Sequence, residues 1–403
     1  MPWKESGVVH ERMVFVSRLE SGERMSDLCR EFGISRKTGY KIHARYKEQS
    51  VVGLHDRKRT PERIPHRTAK EVVERVVQLR REHPTWGPTK LRAWLLENDQ
   101  GPRWPAASTI GELLKKEGLV VPRRRRRHVE QSAWALSEPQ QPNELWCIDF
   151  KGQFRLGNGR YCYPLTVTDA HTRFLLVCEG MECIDGERVW DELERAFCTY
   201  GLPDAIRSDN GSPFASRGVA GISKLSARWL SLGIRHERIE PGEPQQNGRH
   251  ERMHRTLKAE TTRPAAHSLL AQQERFDRFR EIYNEQRPHQ ALGQTPPARH
   301  YRRSMKRWPA KSSLTYSLHD HVRTVGSSGH IRVGEPPVQI FLSTALAGLS
   351  VGLRELESNR WLASFADLDL GVFDLQAKTL LSLDDVGVMK GIETEKVSPM
   401  CPV

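Results

Sequence analysis

Residues 145–152 read Leu-Trp-Cys-Ile-Asp-Phe-Lys-Gly, an apolar segment with one acid near its centre. Neighbouring side chains of a strand point to opposite faces, so Asp149 shares a face with Cys147 while Ile148 and Phe150 point the other way. A carboxylate on an otherwise apolar strand is costly unless it is paired or coordinates a metal ion. The segment therefore predicts a central strand that carries a functional acid.

Two other acids lie in equally distinctive settings. Asp209 and Asn210 lie in Arg-Ser-Asp-Asn-Gly-Ser-Pro-Phe, at the end of a short predicted strand, and Glu251 lies in Gln-Gln-Asn-Gly-Arg-His-Glu-Arg, early in a predicted helix. Taken singly, the first sequence is typical of a turn and the second acid of an exposed helix position. As a set with Asp149, however, the carboxylates suit two Mg²⁺ ions, or Mn²⁺ in their place. Such a metal pair can bind the attacking and the leaving oxygen of a phosphodiester. Asn210 is expected to support the site.

The helix that carries Glu251 has further polar residues at helical spacing. Glu251 shares one predicted face with Asn247, His254, Arg255 and Lys258. The pattern favours a metal ligand beside DNA-binding cations, with Asn247 and His254 in supporting roles. A solvated charged helix with a Glu251–Arg255 pair is the alternative.

The composition favours a nucleic-acid partner. The chain has 403 residues, a formal net charge of +13 and an isoelectric point near 9.5. This balance is typical of nucleic-acid-binding proteins, although a ribosome-like or membrane-surface role would fit the charge by itself. No apolar stretch approaches the ~20 residues that span a bilayer, and the seven cysteines form no Cys-x-x-Cys pair. With no signal-peptide core at the N-terminus, we expect a reduced, cytoplasmic, nucleoid-associated protein without membrane partners or structural zinc.

Two helical modules are predicted ahead of the acids, at residues 10–55 and 66–121. In the first, Gly33 supplies a tight turn and Ser35 an N-cap, which is helix-turn-helix spacing; an ordinary helical hairpin is the alternative. The basic residues expected to face DNA are Arg36, Lys37 and Lys41. Gly39 in the same helix costs ~1 kcal/mol relative to alanine, which suggests close packing. The second module repeats the helix-turn-helix pattern.

A linker and two further domains follow the modules. The linker, residues 122–142, contains arginines that contact phosphate or form a solvated charge run: Arg123, Arg124, Arg125, Arg126 and Arg127. Residues 143–300 show three antiparallel strands, the first at 145–154, and then alternating helix and strand, which predicts an α/β ribonuclease-H-like core. Closely spaced short strands predict a small β-barrel at 312–385, and a flexible tail follows at 386–403. The predicted fold is therefore multidomain, with all-α helix-turn-helix modules, an α/β core and a C-terminal β-barrel.

Six phrases within residues 10–300 resemble a known family when taken together. They are the sequences at 146–150, 208–214, 232–234, 241–252, 256–258 and 283–292. The chain resembles the bacterial insertion-sequence transposases whose catalytic core is related to retroviral integrase. The resemblance implies that Asp149, Asp209 and Glu251 are the catalytic, metal-binding triad, and that Lys258 contacts transposon-end DNA.

The resemblance also implies a DDE transposase reaction. Such an enzyme binds terminal repeats, hydrolyses the phosphodiester at each element end and joins the freed 3′-hydroxyls to target DNA by transesterification, as a dimer or tetramer on DNA. The alternatives are a DNA-binding regulator without chemistry and a ribonuclease-H-like nuclease without joining activity. A need for a helper protein is not readable from the sequence. One departure is visible: 42 positions separate Asp209 from Glu251, more than is usual in integrase relatives, and the extra residues are expected at 215–223.

Overall fold

The chain forms two compact units, Met1–Thr68 and Ala69–Val403. The computed structural model describes the following residues: 7–56, 68–101, 103–120, 137–240, 244–309, 314–357 and 359–383. The arginine run of the predicted linker and the predicted tail lie outside these residues. Among the described residues, no helix is both long enough and apolar enough to cross a membrane.

The first unit is a three-helix module closed by a short 3-10 turn. Its helices are α1 (Val8–Glu20), α2 (Met25–Glu31) and α3 (Arg36–Gln49). Ser35 caps α3, because its side chain accepts a hydrogen bond from the backbone N–H of Thr38 at 3.2 Å. Gly33 has a φ of 64°, a left-handed conformation that favours glycine, at the turn between α2 and α3. The predicted helix-turn-helix is confirmed, and its second helix, predicted at residues 35–46, ends three residues later, at Gln49.

Close packing explains the glycine inside α3. A Cβ atom at Gly39 would lie 2.7 Å from the Sγ of Cys29, 2.8 Å from the Sδ of Met25 and 3.0 Å from the Cζ of Phe15. Since α3 crosses its neighbours at this point, only a residue without a side chain fits there. The packing suggested by the sequence is therefore observed.

The second module has three helices around a small apolar core. They are α4 (Lys70–Glu82), α5 (Pro88–Asn98) and α6 (Ala107–Lys116). Proline occupies the first position of α5, where its missing N–H leaves no helix bond unmade. The buried core residues are Val72, Val76, Leu79, Trp86, Leu91, Leu95, Trp104, Ile110 and Leu114.

The α/β core contains a six-stranded mixed sheet. Its strands are β1 (Trp146–Phe150), β2 (Phe154–Arg155), β3 (Tyr161–Asp169), β4 (Leu175–Met181), β5 (Ala205–Ser208) and β6 (Arg235–Arg238). The order is β2-β3-β1-β5-β6, and β4 pairs with the other edge of β3. β1, β3 and β4 pair antiparallel, whereas β5 and β6 continue the sheet in parallel. The predicted ribonuclease-H-like arrangement is confirmed.

The first predicted strand is wrong in its extent. The segment 145–154 forms β1 and the short β2, with a break after Phe150. Lys151 donates its N–H to the carbonyl of Pro164 at 2.8 Å, but proline has no N–H to return the bond. The ladder between β1 and β3 therefore stops at this point.

Four helices cover the core sheet: α7 (Gly186–Tyr200), α8 (Lys224–Ser231), α9 (Gly248–Thr261) and α10 (Leu269–Glu281). A π-helical turn, Ile282–Gln286, follows α10. The chain then returns to the core, where the N–H of Ser304 donates to the Tyr200 carbonyl at 2.8 Å and Trp308 joins the main apolar cluster. Packing on the core thus continues beyond residue 300.

The C-terminal region consists of two antiparallel sheets. Its strands are β7 (His321–Thr324), β8 (His330–Val333), β9 (Val338–Phe341), β10 (Ser350–Glu357), β11 (Arg360–Phe365), β12 (Leu368–Asp374) and β13 (Thr379–Leu381). Five strands form a sheet in the order β13-β12-β11-β10-β7, and β8 pairs with β9.

The β-barrel predicted at 312–385 is not confirmed. A barrel closes when its first and last strands share hydrogen bonds, and in the described residues β7 pairs with β10 while β13 pairs with β12. Ile222, Ala227 and Leu230 from the α8 region belong to the same apolar cluster as the C-terminal strands. The sheets therefore bury apolar surface against α8 and remain open.

Candidate active site

Asp149 lies on β1, in the interior of the core sheet. β3 pairs with β1 on one side and β5 on the other. Ile148 is fully buried and Cys147 is 4% exposed, so the protein covers both faces of the strand. The side chain of Asp149 keeps 22% of its surface exposed. The predicted acid in an apolar strand is thus partly buried but open to solvent on one side.

Asp209 directly follows β5, which runs parallel to β1. Parallel neighbouring strands end at the same edge of a sheet, where ligand sites of α/β proteins form. The Oδ1 of Asp209 accepts the N–H of Gly211 at 3.0 Å, and the Nδ2 of Asn210 donates to the Ile239 carbonyl at 2.6 Å. The segment therefore makes the turn that its sequence suggests, and this turn holds the acid at the sheet edge near Asp149.

A buried ion pair holds the start of α9, the helix of Glu251. Arg207 on β5 binds Glu237 on β6 at 3.0 Å, with side-chain exposures of 9% and 15%. Arg207 also donates to the carbonyl of Gln246, just before α9, at 3.4 Å. The strand that ends at Asp209 is therefore connected directly to the beginning of the Glu251 helix.

Electrostatics places the three acids in one neighbourhood. Burial raises the pKa of Asp149 to about 7, and the negative charges of Asp209 and Glu251 add to this shift. The Phe150 backbone and the charge of Lys151 oppose it. A bound cation would stabilise the ionised form of Asp149, because its positive charge offsets the negative charges of the two neighbouring acids. The oxygen donors of the three residues therefore fit a hard divalent ion.

The residues predicted to share one face of α9 differ in their exposure to solvent. Glu251, Arg255 and Lys258 are exposed, whereas His254 and Asn247 are buried, at 4% and 5% exposure. Asn247 precedes α9 without a side-chain capping bond, and its Oδ1 is buried with no partner among the described residues. His254 lies inside the protein beside the sheet, while the two cations remain accessible to a ligand.

The buried side of α9 forms a hydrogen-bond network with β3. The Oγ1 of Thr166 lies 2.8 Å from the Nε2 of His250 and 2.6 Å from the Nε2 of His254. The Oγ1 of Thr168 lies 2.8 Å from the Nδ1 of His250, and the Nδ1 of His254 lies 3.6 Å from the Oδ2 of Asp149. Burial lowers the pKa of His250 to about 3 and that of His254 to about 2, which favours the neutral form of both imidazoles.

The network has the residue types of a metal site but not its free donor atoms. Asp149, His250 and His254 are the one trio in the described residues whose potential ligand atoms lie within 4.8 Å of one another. Both ring nitrogens of His250 already have hydroxyl partners, and the Nε2 of His254 has another. Three of the four ring nitrogens are therefore engaged in hydrogen bonds, which makes the carboxylates better candidates for metal ligands.

Neither Thr166 nor His250 was predicted from the sequence. His250 lies four residues before His254, a spacing that places both rings on one helix face. Thr166 and Thr168 alternate on β3 toward one face of the sheet. These two periodicities were the available signal, but only the register of β3 with β1 shows that they meet at Asp149.

The far end of α9 contacts the second helical module. Glu260 pairs with Arg287 at 2.9 Å and accepts a hydrogen bond from the hydroxyl of Thr85, in the loop before α5. Arg287 also donates to the Thr85 hydroxyl at 2.9 Å, and Lys90 on α5 donates to the carbonyl of Pro288. The Arg287 side chain is 8% exposed, so this polar contact is buried.

The structure places the predicted DNA-binding residues in two groups. Arg36, Lys37 and Lys41 are exposed on α3 of the first unit. Arg255 and Lys258 are exposed on α9, in the second unit. The arginines of the predicted linker lie outside the described residues.

Comparison with protein families identifies four regions of the chain. Models described as integrase core domain match residues 139–244 and 232–297. A helix-turn-helix domain matches residues 11–62, and a homeodomain-like domain matches residues 38–114. The integrase-core matches include all three acids.

Similar proteins occur in bacterial insertion elements. An uncharacterized 31.7 kDa protein of insertion element IS407 from Burkholderia multivorans is 32% identical over 237 residues, covering 56% of this chain and 79% of that protein. An uncharacterized 39.2 kDa protein of IS476 from Xanthomonas euvesicatoria is 31% identical over 240 residues, covering 58% of this chain and 66% of its own length. Among solved structures, a chain of the simian T-cell lymphotropic virus intasome in complex with PP2A regulatory subunit B56 gamma is 16% identical. That match has a TM-score of 0.37 and covers 73% of this chain and 97% of the other. From the family models and the insertion-element relatives, this chain belongs to the insertion-sequence transposases with an integrase-like core, which are polynucleotidyl transferases of the DDE type.

Proposed function

We propose that the protein binds the terminal repeats of its own insertion element, cleaves the element ends and joins them to target DNA. The observation that carries the proposal is the parallel register of β1 and β5, which places Asp149 and Asp209 at the same edge of the sheet. Asp209 follows β5 at the sheet edge, and Glu251 comes from the first turn of α9. This convergence of carboxylates is the arrangement that a divalent-ion phosphoryl transferase requires.

In the proposed reaction, the P–O3′ bond at an element end breaks as a water oxygen bonds to phosphorus, which leaves a free 3′-hydroxyl. That hydroxyl oxygen then attacks a target phosphate and displaces the 3′-oxygen of the target strand. Asp149, Asp209 and Glu251 would hold two Mg²⁺ ions, or Mn²⁺ in their place. These ions, when bound, supply the charge that stabilises the attacking and leaving oxygens.

The cations on α9 support phosphate binding beside the reacting bond. Arg255 and Lys258 lie one and two turns after Glu251 and are exposed. Exposed Lys and Arg side chains bind the DNA backbone and orient the duplex without reading its sequence. We assign these two residues to the end DNA near the cleaved phosphate.

Recognition of the repeat is assigned to the helical modules. Arg36, Lys37 and Lys41 on α3 are exposed on the second helix of a helix-turn-helix, which is the element that enters the major groove in such motifs. The arginines of the linker, Arg123 to Arg127, are proposed to contact phosphates. Because two ends must be joined in one reaction, we further propose a dimer or tetramer on DNA, within the bacterial nucleoid.

The test is strand transfer with the full chain, the terminal-repeat DNA that flanks its gene and a plasmid target, in Mg²⁺ and in Mn²⁺. The wild-type protein should give joined products, and Glu251→Gln should abolish both cleavage and joining while end binding remains. Glu274→Gln is the matched control, because Glu274 is an exposed acid on α10 of the same core. End binding without cleavage in either metal would refute the enzyme and favour a regulator. Nicked products that are never joined would favour a nuclease.

A further inference from the structure

Three neighbouring groups converge on one buried hydroxyl in the catalytic core. The Oγ1 of Thr166 contacts the Nε2 of His254 at 2.6 Å, the Nε2 of His250 at 2.8 Å and the backbone carbonyl of Asp149 at 3.1 Å. Thr166 is fully buried, and the two histidines are 1% and 4% exposed. Because these polar atoms are buried, each depends on the others for its hydrogen bonds.

Counting hydrogens assigns a direction to every bond. A hydroxyl has one hydrogen to donate and two lone pairs to accept with. The carbonyl of Asp149 can only accept, so Thr166 donates to it and accepts an N–H from each histidine. His250 and His254 are then both Nε2–H tautomers. The free Nδ1 of His250 accepts the hydroxyl hydrogen of Thr168, and the free Nδ1 of His254 faces the Asp149 carboxyl at 3.6 Å.

The network connects the two elements that carry catalytic acids. In the ladder between β1 and β3, Thr166 is the direct partner of Asp149. His250 and His254 lie one residue before and three residues after Glu251 on α9. The same hydroxyl therefore fixes the backbone beneath one acid and the helix that presents another.

We propose that Thr166 is a positioning residue for this active site, which acts through His250 and His254 to set Asp149 against Glu251. The inference rests on the proposed function, because it concerns the geometry of the same carboxylates. Groups behind metal ligands typically change metal affinity or activity by about 10- to 100-fold when they are removed. Neither histidine needs to touch DNA or an ion for this role.

The first test removes the hydroxyl while keeping the side-chain shape. Metal-free protein is titrated with Mn²⁺ by calorimetry, and cleavage of end DNA is measured in parallel. Thr166→Val should weaken Mn²⁺ binding and cleavage by about 10- to 100-fold, and Thr166→Ser, which keeps the hydroxyl, should restore most of both. Thr199→Val is the control, because its hydroxyl bonds a helix carbonyl of α7 on the exposed surface. Equal Mn²⁺ affinity in the folded valine variant and the wild type would overturn the proposal.

The second test does not depend on the stability of any Thr166 variant. Imidazole ¹⁵N spectra of metal-free, histidine-labelled wild-type protein report the tautomer of each ring, with signals assigned by His250→Gln and His254→Gln. Both rings should be Nε2–H tautomers. A ring that is protonated at Nδ1 but not at Nε2, at either position, would contradict the bond directions and refute the positioning role.

The outcomes separate this inference from the function on which it rests. If the wild-type protein neither cleaves nor joins end DNA, the proposed function fails, whatever the tautomers are. If the wild type joins ends but Thr166→Val binds Mn²⁺ and cleaves like the wild type, only the positioning role fails.

Discussion

Replacing Asp149 by asparagine should stabilise the metal-free protein at neutral and alkaline pH. The ordinary pKa of the carboxyl is 3.8 and its pKa in the folded protein is about 7. Between these values the folded state holds a proton that the unfolded state releases, so stability falls as pH rises from about 4 to 7 and is constant above. The difference between these two pKa values corresponds to about 4 kcal/mol of unfolding free energy at most. Because the side chain is 22% exposed, we expect about 2–4 kcal/mol.

Thermal unfolding of metal-free protein at pH 8 and pH 4 measures this effect. Asp149→Asn carries no charge at either pH, so at pH 8 it should melt about 5–15 °C above the wild type, at roughly 2–4 °C per kcal/mol. At pH 4 the difference should nearly vanish. Asp191→Asn, which removes an exposed acid from α7, should show no such pattern. A variant no more stable than the wild type at pH 8, or equally stabilised at both pH values, would refute the reasoning.

Two further predictions concern packing and a buried ion pair. Gly39→Ala should destabilise the first unit by about 1–3 kcal/mol through overpacking. Gly111→Ala on α6, whose Cβ would make an ordinary contact at 3.5 Å, should instead stabilise its module by about 0.5–1 kcal/mol. Thermal unfolding combined with hydrogen exchange of each helix measures the two effects separately, and an unchanged stability of Gly39→Ala would contradict the close packing at Gly39. Glu260→Ala should cost about 3–5 kcal/mol, because it leaves Arg287 buried without its acid. Glu182→Ala, at an exposed pair, should cost under about 1 kcal/mol. Equal losses in denaturant unfolding would show that the burial of Arg287 adds nothing to the effect of the pair.

Much of the core fold is predictable because its elements have strong local signals. The sequence pattern predicts β5 at 205–208, as observed. It predicts α7 at 187–200 and α9 at 247–260, and each end lies within one residue of the observed bounds. Each is bordered by caps or turn residues, such as Asp185 before α7, whose side chain accepts the N–H of Glu187. The extra residues expected at 215–223 form a loop with a bridge between Ala215 and Ile222 and a short 3-10 turn.

Features that depend on long-range register are not predictable in the same way. The strands of the C-terminal region have clear local patterns, but whether a sheet closes depends on pairing between its first and last strands. Likewise, the contact of Thr166 with His250 and His254 joins positions more than 80 residues apart. The three acids are predicted as site residues from their local settings, whereas the network behind Asp149 required the packed structure.

The buried contact at Glu260 has a mechanical consequence. Glu260 lies nine residues after Glu251 on the same helix, a separation of about 13 Å along its axis. Near one end the helix carries Glu251 in its first turn, and near the other its Glu260 binds Thr85 of the second module. A helix of this length transmits rotation with little bending. A rotation of the second module would therefore move Glu251, and under the proposed function it would change the distance between Glu251 and any DNA bound to that module.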